Sequence, residues 1–147
     1  AAYFVPDALM AGALLGARRR GARVRILLPG DHIDSETVKR ASKATWGELL
    51  RGGVEIHVFE PTMIHVKLFV GDGEFVSVGS TNFDMRSFGL NDEASLNVYD
   101  RAFAEQMTRA FEADLERARR YTYDMWASRP LREKLAERLL VPIRSQL

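Results

Sequence analysis

Asp72-Gly73 stands between two apolar runs, "IHVKLFV" before it and "FVSV" after it, and this constrains the chain more than any other feature. Such a dipeptide accepts the positive φ that both central residues of a type I′ turn require, so the stretch is expected to form a β-hairpin. Taken as a two-residue turn, it pairs Gly71 with Glu74, Phe69 with Val76, Lys67 with Val78 and His65 with Ser80. Side chains alternate along a strand, so His65 and Lys67 share one face and Ser80 lies beside His65 at a Cα separation of roughly 5.5 Å. Asn82 joins them if the strand persists. Val66, Leu68 and Val70 make the opposite, core face, and the polar face turns apolar at Phe69, Val76 and Val78 towards the turn. Polarity therefore gathers at the open end of the hairpin.

An imidazole beside an ammonium, a hydroxyl and an amide is a poor cation site, because a protonated lysine repels a metal. The same set suits a phosphodiester: His65 can attack phosphorus or move a proton, and Lys67, Ser80 and Asn82 can donate to the phosphoryl oxygens. A working histidine also needs an acid on its other ring nitrogen. Glu93, in the polar "LNDE" context before the next strand, is the candidate. Asp72 is not, since seven residues of extended chain put it about 23 Å from His65. The plain alternatives are a merely packed or exposed histidine, turn-forming Ser80 and Asn82, and a solvated Glu93.

The 147 residues allow one domain, 1–147. Hydrophobic residues make up 46% and the net charge is +1, which biases the chain neither towards nor against nucleic acid. With no cysteine and three histidines, His32, His57 and His65, no structural metal is expected. "ALMAGALLGA" at 8–17 is about half of the roughly 20 residues needed to span a bilayer. The chain opens "AAYFVPD" without methionine, which suggests an excised piece of something longer.

Pro6 suits a first helical turn, Leu9, Ala13 and Ala17 share one helical face, and Gly21 follows a basic helix end. "ARVRILLP" reads as a buried strand. A second helix follows, capped by Asp34 or Ser35 and closed by Gly52 and Gly53. "VEIHVFE" and "EASLNVYD" are further strands. Phe103, Met107, Ala110, Phe111 and Leu115 recur at helical spacing through 101–121, and "LREKLAERLL" at 131–140 reads as a last amphipathic helix. The fold class is α/β, a mixed sheet with helices on both faces.

The spacing His65-x-Lys67-xxxx-Asp72, followed by Gly79-Ser80-x-Asn82, resembles the "HKD" and GSxN signature of the phospholipase D superfamily. Together with "YFVPDALMAGALLGARRRGARVRILLPG", "TWGELLRGGVEIHVFEPTMIHVKLFVGD" and "NFDMRSFGLNDEASLNVYD", the chain is similar to the C-terminal half of bacterial cardiolipin synthases over roughly residues 3–140. The resemblance implies a phosphohistidine mechanism served by two such motifs, one histidine attacking phosphorus and the other protonating the leaving group. It makes His65 nucleophile or general acid/base, Lys67 and Asn82 phosphate ligands, Ser80 the conserved serine and Glu93 the acid that orients the histidine; Asp72 matches the motif's aspartate, but its distance from His65 makes it structural, as Gly79 is. The implied reaction is phosphatidyl transfer between phosphatidylglycerol molecules with release of glycerol, at a bacterial cell membrane and without metal or organic cofactor. Neither His32 nor His57 has a lysine two residues on. The second motif must then come from the rest of a longer chain or from a homodimer partner. The alternatives are a homodimeric phosphodiesterase or nuclease and a non-catalytic lipid-binding half.

Four features fall outside that signature. Arg18, Arg19, Arg20, Arg23 and Arg25 can meet anionic headgroups or simply cap a helix and line a strand edge. Asp31 and His32 follow a strand and can reach the substrate or merely precede a helix. Phe83, Met85 and Phe88 can line an acyl-chain entrance or belong to the core. The 131–140 helix can dock at a bilayer surface or pack on its own domain.

Overall fold

The computed structural model describes residues 2–134. A two-residue strand β1 (Phe4–Val5) leads into α1 (Ala8–Arg19), whose N-cap is Asp7 rather than the Pro6 turn: the Asp7 carboxylate accepts from the Met10 N–H at 2.7 Å. Arg18 and Arg19 close the helix and Gly21 takes the left-handed conformation at φ 94°. Ala11, Leu14 and Leu15 turn inward, whereas Leu9 is 81% exposed. A helix this rich in apolar residues carries too little polar contrast for its buried face to be read from spacing.

Next come β2 (Arg25–Pro29), α2 (Glu36–Arg51) and β3 (Glu55–Phe59). Ser35, one of the two expected caps, accepts from the Val38 N–H at 3.3 Å. β2 and β3 are parallel, the arrangement that a crossover helix produces. Ile26, Leu28, Ile56 and Val58 point to one side of this pair and meet Trp46 and Leu49 of α2 and the apolar residues of α1. Trp46 is 2% exposed and donates its indole N–H to Ser42 Oγ at 2.9 Å, which satisfies the one polar atom of this side chain in the thickest part of the core.

The hairpin follows as β4 (Leu68–Gly71) and β5 (Phe75–Gly79), with Asp72 at φ 52° and Gly73 at φ 70° as its expected left-handed pair. Its register differs from the expected one by a residue: Gly71 pairs with Phe75, Val70 with Val76, Phe69 with Ser77 and Leu68 with Val78. Glu74 is drawn into the loop, where its N–H donates to the Gly71 carbonyl at 3.1 Å and its own carbonyl accepts from the Asp100 N–H at 3.0 Å. The hydrophobic pattern explains the shift. Only this register places Leu68, Val70, Val76 and Val78 on one face, whereas the two-residue loop divides them between both.

After β6 (Phe83–Asp84), α3 (Met85–Gly89) and β7 (Ser95–Tyr99), the helix α4 (Arg101–Glu116) ends earlier than its periodicity suggests. Residues Ala118–Tyr121 form β8, antiparallel to β3, before the short α5 (Tyr123–Ala127). The run "ERARRY" has good helix propensity, but pairing with a partly formed sheet overrides it. The strands join as β2-β3-β8, β4-β5-β7 and the parallel pair β1-β6, three sheets rather than one. α4 runs against β3, β4, β5 and β8 and covers the face of the first sheet opposite α1 and α2. There Arg25 pairs with Glu112 at 2.6 Å and stacks 5.3 Å from the Phe111 ring. The α/β class with helices on both faces therefore holds. Residues 131–134 are helical, and the remainder of the expected helix to 140 lies outside the described residues.

Candidate active site

The open end of the β4-β5 hairpin is built by three chain segments. His65 and Lys67 precede β4, and the Gly79 N–H donates to the Lys67 carbonyl at 3.2 Å. Lys67 thus faces Gly79, and His65 falls beyond the ladder rather than beside Ser80. The Lys67 ammonium donates to the His65 carbonyl at 3.4 Å. Gly79 is dictated by space: a Cβ there would drive into the Ala94 carbonyl and lie 2.6 Å from Ser95 Cα. The close approach of β5 and β7 then lets Ser80 donate its N–H to the Ala94 carbonyl at 2.9 Å and accept the Ala94 N–H on its Oγ at 3.0 Å.

Glu93 is the hub of the carboxylate side. It accepts a short hydrogen bond from Ser80 Oγ, another from Ser87 Oγ at 3.0 Å and a third from Asn91 Nδ2 at 3.4 Å. These bonds, Ser80 first and Ser87 next, hold its carboxyl below the usual carboxylate range. Glu93 therefore engages Ser80 here rather than the His65 ring, a difference from the expected acid–imidazole pair. Burial pulls the Lys67 ammonium below its ordinary value, opposed by the Asp34, Glu93 and Asp84 carboxylates around it. Asp84 is buried and caps α3 through the Ser87 N–H at 2.8 Å.

Asn82 joins the site from the other side. Its Oδ1 accepts the Tyr3 N–H at 3.2 Å, and the Tyr3 ring stands edge-on to the His65 ring with centroids 6.2 Å apart. Burial first, and then the neighbouring Asp34 carboxylate, raise the Tyr3 phenol to about 12. The contacts fall into two groups, Ser80 with Glu93, and Asn82 with His65 and Lys67 through Tyr3 and the His65 carbonyl, the Glu93 charge acting on Lys67 between them. Asp72 lies at the far end of the hairpin and shapes the turn. Asp31 is held by Lys39 at 2.7 Å on the surface.

The contributions of Tyr3, Asp34, Asp84 and Ser87 escape the sequence reading. β1 and β6 are two residues each, too short for any period to reveal, and only their parallel pairing brings Tyr3 to Asn82. Phe83 packs into the core against Phe4 at 5.5 Å, whereas Met85 and Phe88 are exposed beside the site.

The architecture is that of the phospholipase D fold. The chain superposes on the phospholipase D family member Nuc from Salmonella typhimurium with a TM-score of 0.72, at 23% identity, covering 82% of this chain and 78% of that one. Phosphatidylserine synthase from Haemophilus influenzae gives a TM-score of 0.74 at 14% identity, covering 99% of this chain and 40% of that one. Residues 1–115 match the family model described as "Cardiolipin synthase, PLD-like domain", and the chain belongs to that family. It is 38% identical over 144 residues to the major cardiolipin synthase ClsA of Bacillus subtilis, covering 96% of this chain and 30% of that protein. Over 137 residues it is 39% identical to cardiolipin synthase A of Escherichia coli K12, covering 93% of this chain and 28% of that protein. The chain thus spans under a third of the curated relatives it matches. No helix among the described residues is long and apolar enough to cross a membrane.

Proposed function

We propose that this chain supplies one half of a phosphatidyltransferase site of the cardiolipin synthase type, acting on phosphatidylglycerol at a bacterial membrane. The reading is supported by the contacts at the open hairpin end, where Ser80 bonds Glu93, the Lys67 ammonium meets the His65 carbonyl and Tyr3 touches both Asn82 and His65, in a chain of this family. His65 is the imidazole of this half. Acting as nucleophile, its ring nitrogen forms a bond to phosphorus as the bond to the glycerol oxygen breaks, and the departing oxygen takes a proton from the histidine of the other half. The hydroxyl of a second phosphatidylglycerol then attacks the phosphohistidine, gives up its proton to the same base and frees His65. Lys67 and the Asn82 amide N–H groups offset the charge on the phosphoryl oxygens, and Glu93 with Ser87 holds the Ser80 hydroxyl in place. Asp72 and Gly79 shape the hairpin without touching substrate.

The second half has two possible sources. One is another segment of a longer polypeptide, which the partial coverage of the curated relatives favours. The other is a second copy of this chain, acting as a homodimeric phosphodiesterase, a reading supported by the similar length of the Nuc chain, of which 78% is covered. His65→Ala in the intact protein is expected to lower cardiolipin formation by roughly a thousandfold or more with the thermal transition unchanged. Retained transfer would refute the reading. Light scattering separates the two sources, since a homodimer of about twice 16.6 kDa is required by the second alone.

A further inference from the structure

Tyr3 touches two of the proposed site residues from a segment far from them in sequence. Its N–H donates to Asn82 Oδ1 at 3.2 Å, and its carbonyl accepts the Phe83 N–H at 3.1 Å. The β1-β6 pairing of Phe4 with Phe83 and Val5 with Asp84 continues this ladder directly into the core. Val5 is fully buried with Val38 and Ala41, and Tyr3 packs against that group. The tyrosine is therefore fixed at its backbone before its side chain does anything.

An asparagine amide has two ends of opposite sense, a carbonyl that accepts and an amine that donates. A phosphoryl oxygen can use only the donor. By occupying Oδ1, the Tyr3 N–H leaves the donor end, Nδ2, for a phosphoryl oxygen. The ring makes a separate contact, its edge standing at 84° to the His65 imidazole at 6.2 Å, against an exposed residue that lies outside any strand. The Asp34 carboxylate, in the loop before α2, acts on the phenol end of the same side chain.

We propose that Tyr3 is a positioning residue of this site, its backbone N–H setting the orientation of the Asn82 amide and its ring edge setting the plane of the His65 imidazole. The inference rests on the phosphatidyl-transfer reading for its kinetic consequence, but not for its spectroscopic one. A group misplaced by about 1 Å costs up to a hundredfold in rate, chiefly in the transition state. In the intact polypeptide acting on phosphatidylglycerol vesicles, Tyr3→Ala is expected to lower kcat by roughly 10- to 100-fold and to move KM by less than about threefold. Tyr3→Phe, which keeps the ring and the N–H, recovers activity to within about threefold of the parent. Tyr3→Pro, which removes the N–H as well as the ring, falls at least as far as Tyr3→Ala. Should Tyr3→Ala lose its cooperative thermal transition, Tyr3→Leu takes its place.

The same variants are read by NMR through the Asn82 side-chain amide and the His65 ring protons. Displacement of the His65 ring protons in Tyr3→Ala and of the Asn82 amide in Tyr3→Pro, with the rest of each spectrum preserved, supports the proposal. If His65→Ala abolishes turnover while Tyr3→Ala keeps parental kcat and unmoved His65 ring protons and Tyr3→Pro leaves the Asn82 amide in place, the positioning role is overturned and the reaction stands. If His65→Ala leaves turnover intact, the reaction fails, and unmoved His65 ring protons in Tyr3→Ala with an unmoved Asn82 amide in Tyr3→Pro overturn the positioning role on their own.

Discussion

The β2-β3-β8 sheet and the β4-β5-β7 sheet are made of similar material and finished very differently. The first is closed on both sides: α1 and α2 bury Ile26, Leu28, Ile56 and Val58, and α4 lies across the other face. The second also has a wholly buried residue, Val76, yet it turns the aromatic row Phe69, Phe75 and Tyr99 outward. Phe69 is 52% and Tyr99 83% exposed, and Leu96, Phe88 and Leu90 are exposed as well. The proposed site stands at the end of this second sheet. One sheet makes the fold and the other presents it, so stability and activity are expected to respond to different substitutions.

Four experiments sharpen or break that contrast. Trp46→Ala removes the largest side chain of the closed core and leaves Ser42 Oγ without its donor, and should cost about 3–5 kcal/mol in urea unfolding. A loss under about 1 kcal/mol would mean the first sheet does not dominate stability. Gly79→Ala forces β5 from β7 at the site itself and is expected to cost about 1–3 kcal/mol. It should also displace the Ser80 and Ala94 amide resonances, and an unperturbed spectrum would deny the close approach.

The double change Phe69→Ser with Tyr99→Ser removes a half-exposed and an exposed ring with their contacts to Phe75, and should cost about 1–2 kcal/mol in unfolding of the monomer. A larger loss would reveal that the face is already covered in solution. The smallest effect concerns Glu93. Its carboxyl titrates below its ordinary value of 4.5 when folded, so the stabilisation it gives is present above that value and fades as pH falls through the lower folded midpoint. Carbon-detected titration should find the midpoint below 4.5, rising back towards it in Ser80→Ala, and a midpoint at or above 4.5 in the parent chain would contradict the Ser80 and Ser87 bonds.

Sequence order alone reveals the parts of this molecule in which pattern and chemistry agree. Ser35, Gly21 and the Asp72-Gly73 pair mark their elements directly, and β2 and β3 read as strands because they are short apolar runs between breakers. The polar set His65, Lys67, Ser80, Asn82 and Glu93 is legible as candidates from its spacing. The hairpin register is not, because a loop can take in one more residue when the buried pattern of Val70, Val76 and Val98 demands it. β8 escapes for a related reason: Arg119 and Arg120 have no strand signature, and their pairing depends on an edge that only β3 provides. The partner of Glu93 differs from the expected one because a carboxylate between three donors is placed by β7 and α3 together.

The parallel meeting of β1 with β6 also sets an order in time. Tyr3 and Asn82 are 79 residues apart, and closing a loop of that length costs about 4 kcal/mol of chain entropy. During synthesis the first strand must wait until residues past Asp84 have left the ribosome. On warming, a ladder of two residue pairs is free to part while the Trp46 core remains intact. The protein can therefore lose the geometry of the proposed site well before it loses its shape.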